Sequence, residues 1–507
     1  MPLFLEFRIT YLRNKEGDMK KHPDWALKQK RKGTELRLIN GKYYLYEVSS
    51  RWNPEKRRAQ KITGKLLGKI TPEGFVTSPK YALSHPPERS IPVREYGASW
   101  FLERISGDIL TALQSSFPSL WKEVFCMAMM RLLHKARLKN IQAKFYHSYL
   151  SVLYPQINLS DKRVSKVLRL VGEERPQITA FFKAMFPAHK KESSSGKKNY
   201  LLIDATHVLS YAQDMEIAHP GYNSQGEFSP QVHLLFIHAV SLKLPVYYRI
   251  VGGDIREVKA FRLTLEESGI QDAVLIGDKG FYSEKNVEWL EEESLHYILP
   301  LRRNSTLIDY TPMQQPGKRG FDGYFKYHDR YIWHYSRPQD KNRVVYCFLD
   351  EKLKCKEEED YLKRIETHPV EYSMAGFHEE QFSCGSLALL TNVPGQGAQD
   401  TFHQYKGRNG IEQIIDTMKN TLQADSSYMR DTQTLEGWMF ITFLGLQWYY
   451  RIYRLLSEKK LHSKFSPEDL LDHLAEIKKL RINDTWHISE FTSKTQKLLE
   501  KLGTPIT

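Results

Sequence analysis

The sequence predicts an α/β protein: a mixed β-sheet flanked by helices, interrupted by a β-rich insertion and preceded by a β-rich module and a helical domain. Three observations carry this prediction. Between residues 198 and 303, three apolar strand-like runs give way to an alternation of helical and strand-like segments, the pattern of a mixed sheet covered by helices. A polar stretch, KKESSSGKKN at 190–199, separates that region from what precedes it. The charge is unevenly placed: residues 1–90 carry 20 Lys and Arg against 9 Asp and Glu, which is most of the net +14 of the chain.

At 507 residues the chain exceeds the size at which one core stops growing, so several domains or a core with large insertions are expected. Apolar residues make up 41% and charged residues 26%, a balance that excludes a disordered chain. The four cysteines (Cys126, Cys347, Cys355, Cys384) lack CxxC spacing and are too few for a disulfide framework, which fits a reducing cytoplasm. No Lys-led apolar stretch resembling a signal peptide opens the sequence. The longest apolar run, around Met439 to Tyr450, is too short to span a bilayer and reads as a buried helix, so no membrane association is expected. The basic N-terminal region suits a polyanion, because neutralised phosphates release counterions; a basic surface kept for solubility fits the charge equally well.

In chain order, residues 1–92 form the basic β-rich module. From Phe4 to about Pro79, short aromatic and β-branched runs alternate with turns, and Asn40-Gly41 within INGKYYLYEVSSRW signals a hairpin. Residues 93–189 change to helical spacing, as in WFLERISGDILTALQSSF and WKEVFCMAMMRLLHKARL. Residues 198–303, the first part of the core, contain the strands YLLIDAT, VHLLFIHAVS and PVYYRIVGG, a helix at VKAFRLTLEES, the strand DAVLIGD, a helix at SEKNVEWLEEES and the strand HYILPLR. Residues 304–385, with GYFKYHDRYIWHYSR and RVVYCFLDEKLKC, form the β-rich insertion. The core resumes over 386–460 with the strand SLALLTNV and a long helical stretch from about Asp400 to Leu456, and 461–507 is a helical tail.

Two carboxylates stand at the ends of apolar runs, Asp204 after YLLI and Asp278 after AVLIG. Sites are built where buried strands emerge from a sheet, although a lone Asp there also serves to cap the next turn. A third element is more specific. Tyr405, Arg408, Glu412 and Lys419 follow spacings of 3, 4 and 7 residues; at about 100° per residue they share one helix face about 60° wide. A surface stripe with an Arg408–Glu412 ion pair has the same spacing, and Asp416 is the rival carboxylate. His207, His233 and His238 lie near the first strands without the spacing of a zinc site. No GxxxxGK[ST] loop is present to support ATP-driven chemistry.

YKGRNGIEQIIDTMK fits Y-x2-R-x3-E-x6-K and resembles the YREK signature of insertion-sequence transposases of the DDE type, which have a ribonuclease H-like core. IDAT and GDKGFYS resemble that family's two aspartate motifs in the same order, so the likeness spans residues 201–419; YYLYEVSSRWNPEKRRAQK and LLGKITPEG resemble its basic N-terminal module. Two positions depart from the family pattern, VGGD where a Gly-Asn is common and Lys279 where Arg is frequent.

The resemblance implies a ribonuclease H-like sheet and a cut-and-paste DNA transposase. Such an enzyme cleaves transposon ends and transfers the freed strand into target DNA. It implies that Asp204, Asp278 and Glu412 are the catalytic residues and the ligands of Mg²⁺, for which Mn²⁺ can substitute. Hard carboxylate oxygens suit such ions, and two ions about 3.5–4 Å apart serve both the attacking and the leaving oxygen. Tyr405, Arg408 and Lys419 would contact DNA phosphates, and the 93–189 domain would bind DNA; Trp333 offers a stacking partner for an unpaired base, although a core or surface Trp is the commoner reading of such a residue. The implied partners are double-stranded inverted-repeat ends and target DNA, held by a homodimer in the prokaryotic cytoplasm at the nucleoid. A nuclease of the same core that only cleaves, or a DNA-binding protein that has lost catalysis, are the alternatives.

Overall fold

The structure, a computed structural model, describes residues 22–84, 91–135, 140–186, 198–212, 215–222, 228–253, 257–340 and 342–506. The expected strand character before His22, the polar stretch before Lys198 and Asp254 of VGGD lie outside the described residues. The chain forms two compact units, Met1–Ile91 and Pro92–Thr507.

In the first unit a short helix α1 (Asp24–Leu27) precedes β1 (Thr34–Ile39), β2 (Lys42–Asn53), β3 (Arg58–Thr71) and β4 (Gly74–Thr77), and α2 (Pro79–Ser84) follows. The strands pair antiparallel in chain order. Asn40 and Gly41 both have positive φ, 50° and 74°, as a two-residue type I′ turn requires. Ala26, Leu36, Leu45 and Ile70 form the small core.

The second unit opens with β5 (Val93–Glu95) and seven helices: α3 (Gly97–Arg104), α4 (Gly107–Ser116), α5 (Trp121–His134), α6 (Ile141–His147), α7 (Leu150–Leu153), α8 (Asp161–Glu173) and α9 (Arg175–Met185). Then come β6 (Asn199–Ser210), β7 (His219–Tyr222), β8 (Phe228–Ala239), β9 (Leu244–Val251), α10 (Glu257–Ser268), β10 (Ala273–Ile276), α11 (Glu284–Glu292) and β11 (His296–Pro300). Their sheet order is β9-β8-β6-β10-β11. β9, β8 and β6 pair antiparallel, whereas β6, β10 and β11 pair parallel. This is the ribonuclease H-like arrangement, in which the first strand lies at the centre and helical crossovers place the last two strands beside it.

The insertion departs from the β-rich expectation. After α12 (Thr311–Gln314) its strands β12 (Gly323–Tyr327), β13 (Arg330–Pro338) and β14 (Val344–Asp350) join the core sheet through β15 (Ser386–Thr391), which pairs with β11. Much of the remainder is helical, α13 (Glu351–Thr367) and α14 (Met374–Glu380). Helix α13 buries none of its residues, so it lacks the apolar period that would reveal it in sequence. It is supported instead by the Asp350 N-cap, which accepts from the Leu353 amide, and by the pairs Lys354–Glu358, Glu359–Lys363 and Asp360–Arg364.

The helical stretch expected from Asp400 to Leu456 is broken into α15 (Ala398–Lys406), α16 (Asn409–Asp416), a π-helical turn at Thr417–Thr421, the short β16 (Ser426–Ser427) and α17 (Thr432–Glu458). The tail holds α18 (Pro467–Ala475) and α19 (Ser493–Leu502), with a hairpin of β17 (Lys478–Ile482) and β18 (Thr485–Ile488) between them. β17 pairs with β5 and ties the end of this unit to its beginning.

The seven helices between Gly97 and Met185 share one hydrophobic core with the sheet. Helix α17, which contains the Met439–Tyr450 run, packs against α5, α8 and β9 and is buried along most of its length. Arg175 of α9 links it to Glu267 of α10 and Glu436 of α17, each at 2.6 Å. Among the described residues no helix is long and apolar enough to cross a membrane.

Two glycines set the α8–α17 crossing. A Cβ on Gly172 would overlap the Gln433 carbonyl oxygen, and one on Gly437 the Leu168 carbonyl oxygen. Gly437→Ala is therefore expected to cost about 3 kcal/mol in denaturant unfolding, since neither backbone can retreat from a packed core. Gly107→Ala, with open space around the position, should stay within about 0.5 kcal/mol. Equal effects would show that the crossing yields freely.

Burial pushes His134, His207 and His238 down from an ordinary 6.5 to about 4. Each stays neutral in the fold but takes up a proton in the unfolded chain below about pH 6.5, so its stabilisation is present at neutral pH and is lost as pH falls toward 4. Unfolding free energy should decline from pH 6.5 to 5, and His238→Gln should flatten that slope by up to about 1.4 kcal/mol per pH unit. An unchanged slope in the variant would mean that His238 is charged in the folded protein.

Candidate active site

Parallel pairing places the two aspartates. Ile276 of β10 pairs with Leu202 of β6, so Asp278 and Asp204, each two residues further on, come level. Asp204 does not end its strand, as the apolar run suggested; β6 continues to Ser210, and Asp204 pairs with Phe236 of β8. The opening beside it arises because β10 stops at Ile276. There Gly277 lies so close to Leu299 and Phe281 that a Cβ would sit 3.1 Å from each, and the chain turns into a single 3₁₀ turn, Lys279–Phe281. Asp278 precedes this turn, yet its carboxylate makes no capping hydrogen bond. It pairs with Arg408 instead.

Helix α16 brings the third carboxylate. Its buried Ile411 and Ile414 lie on the side packed against β6 and β8. Gly410 permits the close approach: a Cβ there would lie 3.3 Å from His238 Nε2 and 3.9 Å from Leu202 Cδ1. Arg408 immediately precedes α16 and Glu412 lies in its first turn.

The guanidinium of Arg408 joins all three acids. Its Nη1 donates to Asp278 Oδ1 at 2.9 Å, and its Nη2 to Asp204 Oδ2 at 3.3 Å and to Glu412 Oε1 at 3.5 Å. The i,i+4 pair that the spacing allowed is thus the longest of three contacts. Tyr405 packs beside the hub, its ring centroid 5.9 Å from the guanidinium carbon. Exposure is graded, from 12% for the Arg408 side chain and 16% for Asp204 to 40% for Asp278 and 58% for Glu412.

Burial raises the pKa of Asp204, opposed by Arg408 and reinforced by the charges of Asp278 and Glu412. For Arg408 the surrounding acids outweigh burial and hold its charge more firmly than usual. Burial also raises Tyr405 and lowers Lys419.

Of the residues singled out in the sequence, Asp204, Asp278, Arg408, Glu412 and Tyr405 come together. Lys419 does not join the hub. It lies in the π-helical turn, whose wider spacing breaks the count of about 100° per residue, and it is half-buried within the field of Asp425 and His207. The rival Asp416 is held by Asn420, which donates at 2.6 Å. His207 and His233 are cross-strand partners whose rings meet edge to face at 4.5 Å.

A pocket of about 640 Å³ adjoins the hub, lined by Asp278, Tyr405, Lys279, Arg302, Arg303 and Tyr310 among others. Sequence reading passed over Arg302 and Arg303, although they follow the apolar run HYILPL directly, the same signal that marked the aspartates. Trp333, on β13 of the insertion, lines a second pocket of about 560 Å³ with Tyr324, Tyr331, Arg330 and Lys352, and its ring lies 5.2 Å from that of Tyr324.

The chemistry of the hub suits a hard divalent cation: every donor is a carboxylate oxygen, and the three already converge on a positive charge. Among the described residues no three His, Cys, Asp or Glu side chains are grouped closely enough to hold a metal by themselves. The acids are spread around the guanidinium.

A family model described as the transposase DDE domain matches residues 195–448, the stretch that contains the whole hub. Among solved structures, a cryo-EM structure of the piggyBac transposase synaptic complex with hairpin DNA is similar, with 10% identity, a TM-score of 0.39 and 70% of each chain covered. No curated protein matches the sequence. The DDE transposases are nucleic-acid-cleaving enzymes that generally use divalent metal ions. With half of its length matched by that model, this chain belongs to the DDE transposase family.

Proposed function

We propose that the chain cleaves the ends of a mobile DNA element and joins them to a target by a cut-and-paste route, with Asp204, Asp278 and Glu412 as the catalytic carboxylates. The observation that carries this reading is the convergence of three acids from separate elements on one cation at the mouth of the β6–β10 pair. The same three residues would hold Mg²⁺, or Mn²⁺ in its place. Bound there, divalent ions would supply an activated nucleophile and neutralise charge on the leaving oxygen.

The residues of the chain itself account for binding and placement. Arg408 satisfies the acids in the free protein, and its fork suits a phosphate as well as a carboxylate. When a DNA phosphate takes over the guanidinium, the acids are freed to receive a cation. One side chain would thereby link contact with DNA to the freedom of Asp204, Asp278 and Glu412 to hold a cation. Tyr405 supports the guanidinium from the pocket side, and Lys279 and Arg302 give that pocket the charge to follow a phosphate backbone. Lys419 would meet phosphate further along the strand. Trp333 and Tyr324 offer a stacking surface for an unpaired base. The helical region 93–189 and the basic first unit add DNA-binding surface, and a homodimer holds two ends at once.

Asp204→Ala, Asp278→Ala and Glu412→Gln are each expected to abolish Mg²⁺-dependent cleavage and joining of element-end DNA while duplex affinity stays within about threefold, because the phosphate contacts remain. Asp416→Asn should be mild. A cleaved product that is never joined in the wild type would reduce the reading to a nuclease.

Arg408→Ala separates the two duties of that residue. Without DNA, the variant should bind Mn²⁺ more tightly in calorimetry or electron paramagnetic resonance, since no guanidinium competes for the acids. With DNA, it should cleave poorly, and its plot of log affinity against log salt should flatten by about one unit. Unchanged Mn²⁺ affinity together with a large fall in melting temperature would make Arg408 a structural ion-pair partner only.

A further inference from the structure

Six of the 20 Lys and Arg residues of 1–90 stand on one element of the first unit. Residues 48–65, the outer part of the β2–β3 hairpin, carry Arg51, Lys56, Arg57, Arg58, Lys61 and Lys65 against the single acid Glu55. β1 pairs with β2 only as far as Glu47, and β4 pairs with β3 only from Gly68 onward. Apart from the Val48 amide, which donates to the Gly33 carbonyl oxygen at 2.8 Å, the backbones of the two strands beyond those points pair with each other, from Val48↔Thr63 to Asn53↔Arg58. Residues 49–52 and 58–65 are exposed on both faces, and Trp52 is 63% exposed. Six paired residues at about 3.3 Å each make a free ribbon about 20 Å long. A two-stranded ribbon with neither face covered is marginally stable in water, so the element gains from a partner.

The tip is held in shape. Asn53 Oδ1 accepts from the amides of Glu55 at 3.0 Å and Lys56 at 3.1 Å, and Arg57 adopts the left-handed conformation with φ 45°. The turn therefore presents Lys56, Arg57 and Arg58 in succession. Lys61 pairs with Glu35 at 2.6 Å, whereas Arg51, Lys56, Arg57, Arg58 and Lys65 have no ion pair among the described residues.

Cross-strand partners share a face. One face carries Ser49, Arg51, Asn53, Arg58, Gln60 and Ile62; the other carries Ser50, Trp52, Ala59 and Lys61. Because Trp52 and Ile62 lie on opposite faces, neither side forms an apolar surface for a lipid bilayer. Duplex DNA fits all three properties, charge, length and shape. Its major groove, about 12 Å wide and about 8.5 Å deep, admits a two-stranded β-ribbon, and Arg and Gln are the side chains whose forks match guanine and adenine edges there.

We propose that the β2–β3 ribbon enters the major groove of duplex DNA, with Arg51, Arg58 and Gln60 toward the base edges and Lys56, Arg57 and Lys65 on the phosphates. This makes the ribbon the element that selects the DNA sequence. The proposal rests on the reading of the chain as a DNA transposase.

The test uses the full-length protein with two duplex probes, one from the DNA flanking the coding region and one of shuffled sequence. Affinity is measured across a salt series, and guanine N7 atoms are probed by dimethyl sulphate. Arg51→Ala combined with Arg58→Ala is expected to weaken binding to the flanking duplex at least about 30-fold and to erase its preference over the shuffled duplex, whereas Lys56→Ala combined with Arg57→Ala should weaken both duplexes alike and flatten the salt slope by about two units. N7 protection should disappear in the first of these variants. Arg51→Lys combined with Arg58→Lys keeps the charge and should keep the slope while losing the preference for the flanking duplex. Double variants that bind and protect N7 as the wild type does would overturn the ribbon proposal, as would adenine N3 protection in the minor groove or wild-type affinity for phosphatidylserine vesicles above that for duplex. If metal-dependent cleavage persists in those cases, only the ribbon assignment falls. A wild-type protein that neither binds nor cleaves either duplex would sink the transposase reading beneath it.

Discussion

Three carboxylates brought together in a partly buried cleft repel one another, and this site holds them because one guanidinium lies among them. Arg408 reaches acids from the central strand, from the turn after its parallel neighbour and from the helix packed against that central strand and β8. The fold is arranged to make that meeting possible. The β6–β10 register brings the aspartates level, and the early stop of β10 opens the sheet beside Asp204. The bare Cα of Gly410 lets α16 settle close enough for Arg408 to span the gap.

That geometry needs a rigid support, which the helical region provides. Helices α5, α8 and α17 form one body with the sheet, and the glycine contact between α8 and α17 leaves little freedom to slide. Arg131 of α5 donates to the carbonyl oxygens of Leu422 at 2.7 Å and Gln423 at 3.1 Å, pinning the segment that follows the π-helical turn. The Glu412-bearing helix is therefore anchored ahead by the turn at Arg408 and behind by a buried cation. A site that must hold its geometry while a highly charged substrate arrives gains from such anchoring.

The insertion and the first unit show a different use of the same materials. By extending the core sheet through β14 and β15, the insertion places an aromatic cluster around Trp333 on a continuous framework rather than on a tethered domain. In the first unit, two strands outrun their neighbours and expose a basic ribbon. Both features are strands, yet one is stabilised by pairing on either side and the other by little beyond its own hairpin.

Local pattern determined much of this protein in the sequence itself. Apolar runs marked the five core strands, Asn40-Gly41 specified its turn, and the spacing of Tyr405, Arg408 and Glu412 put those three on one side of the helical stretch, because each of these is a short-range preference of neighbouring residues. Helix α13 carries no such signal because an exposed helix held by ion pairs has no apolar period, and Lys419 falls off the face that the spacing gives it because a π-helical turn changes the angle per residue. Register, docking and strand termination belong to tertiary structure alone. That Asp204 lies in mid-strand, that Arg408 rather than Lys419 meets the acids, and that the helices between Gly97 and Met185 share the core all depend on contacts between segments far apart in the chain, whose free energies no local spacing records.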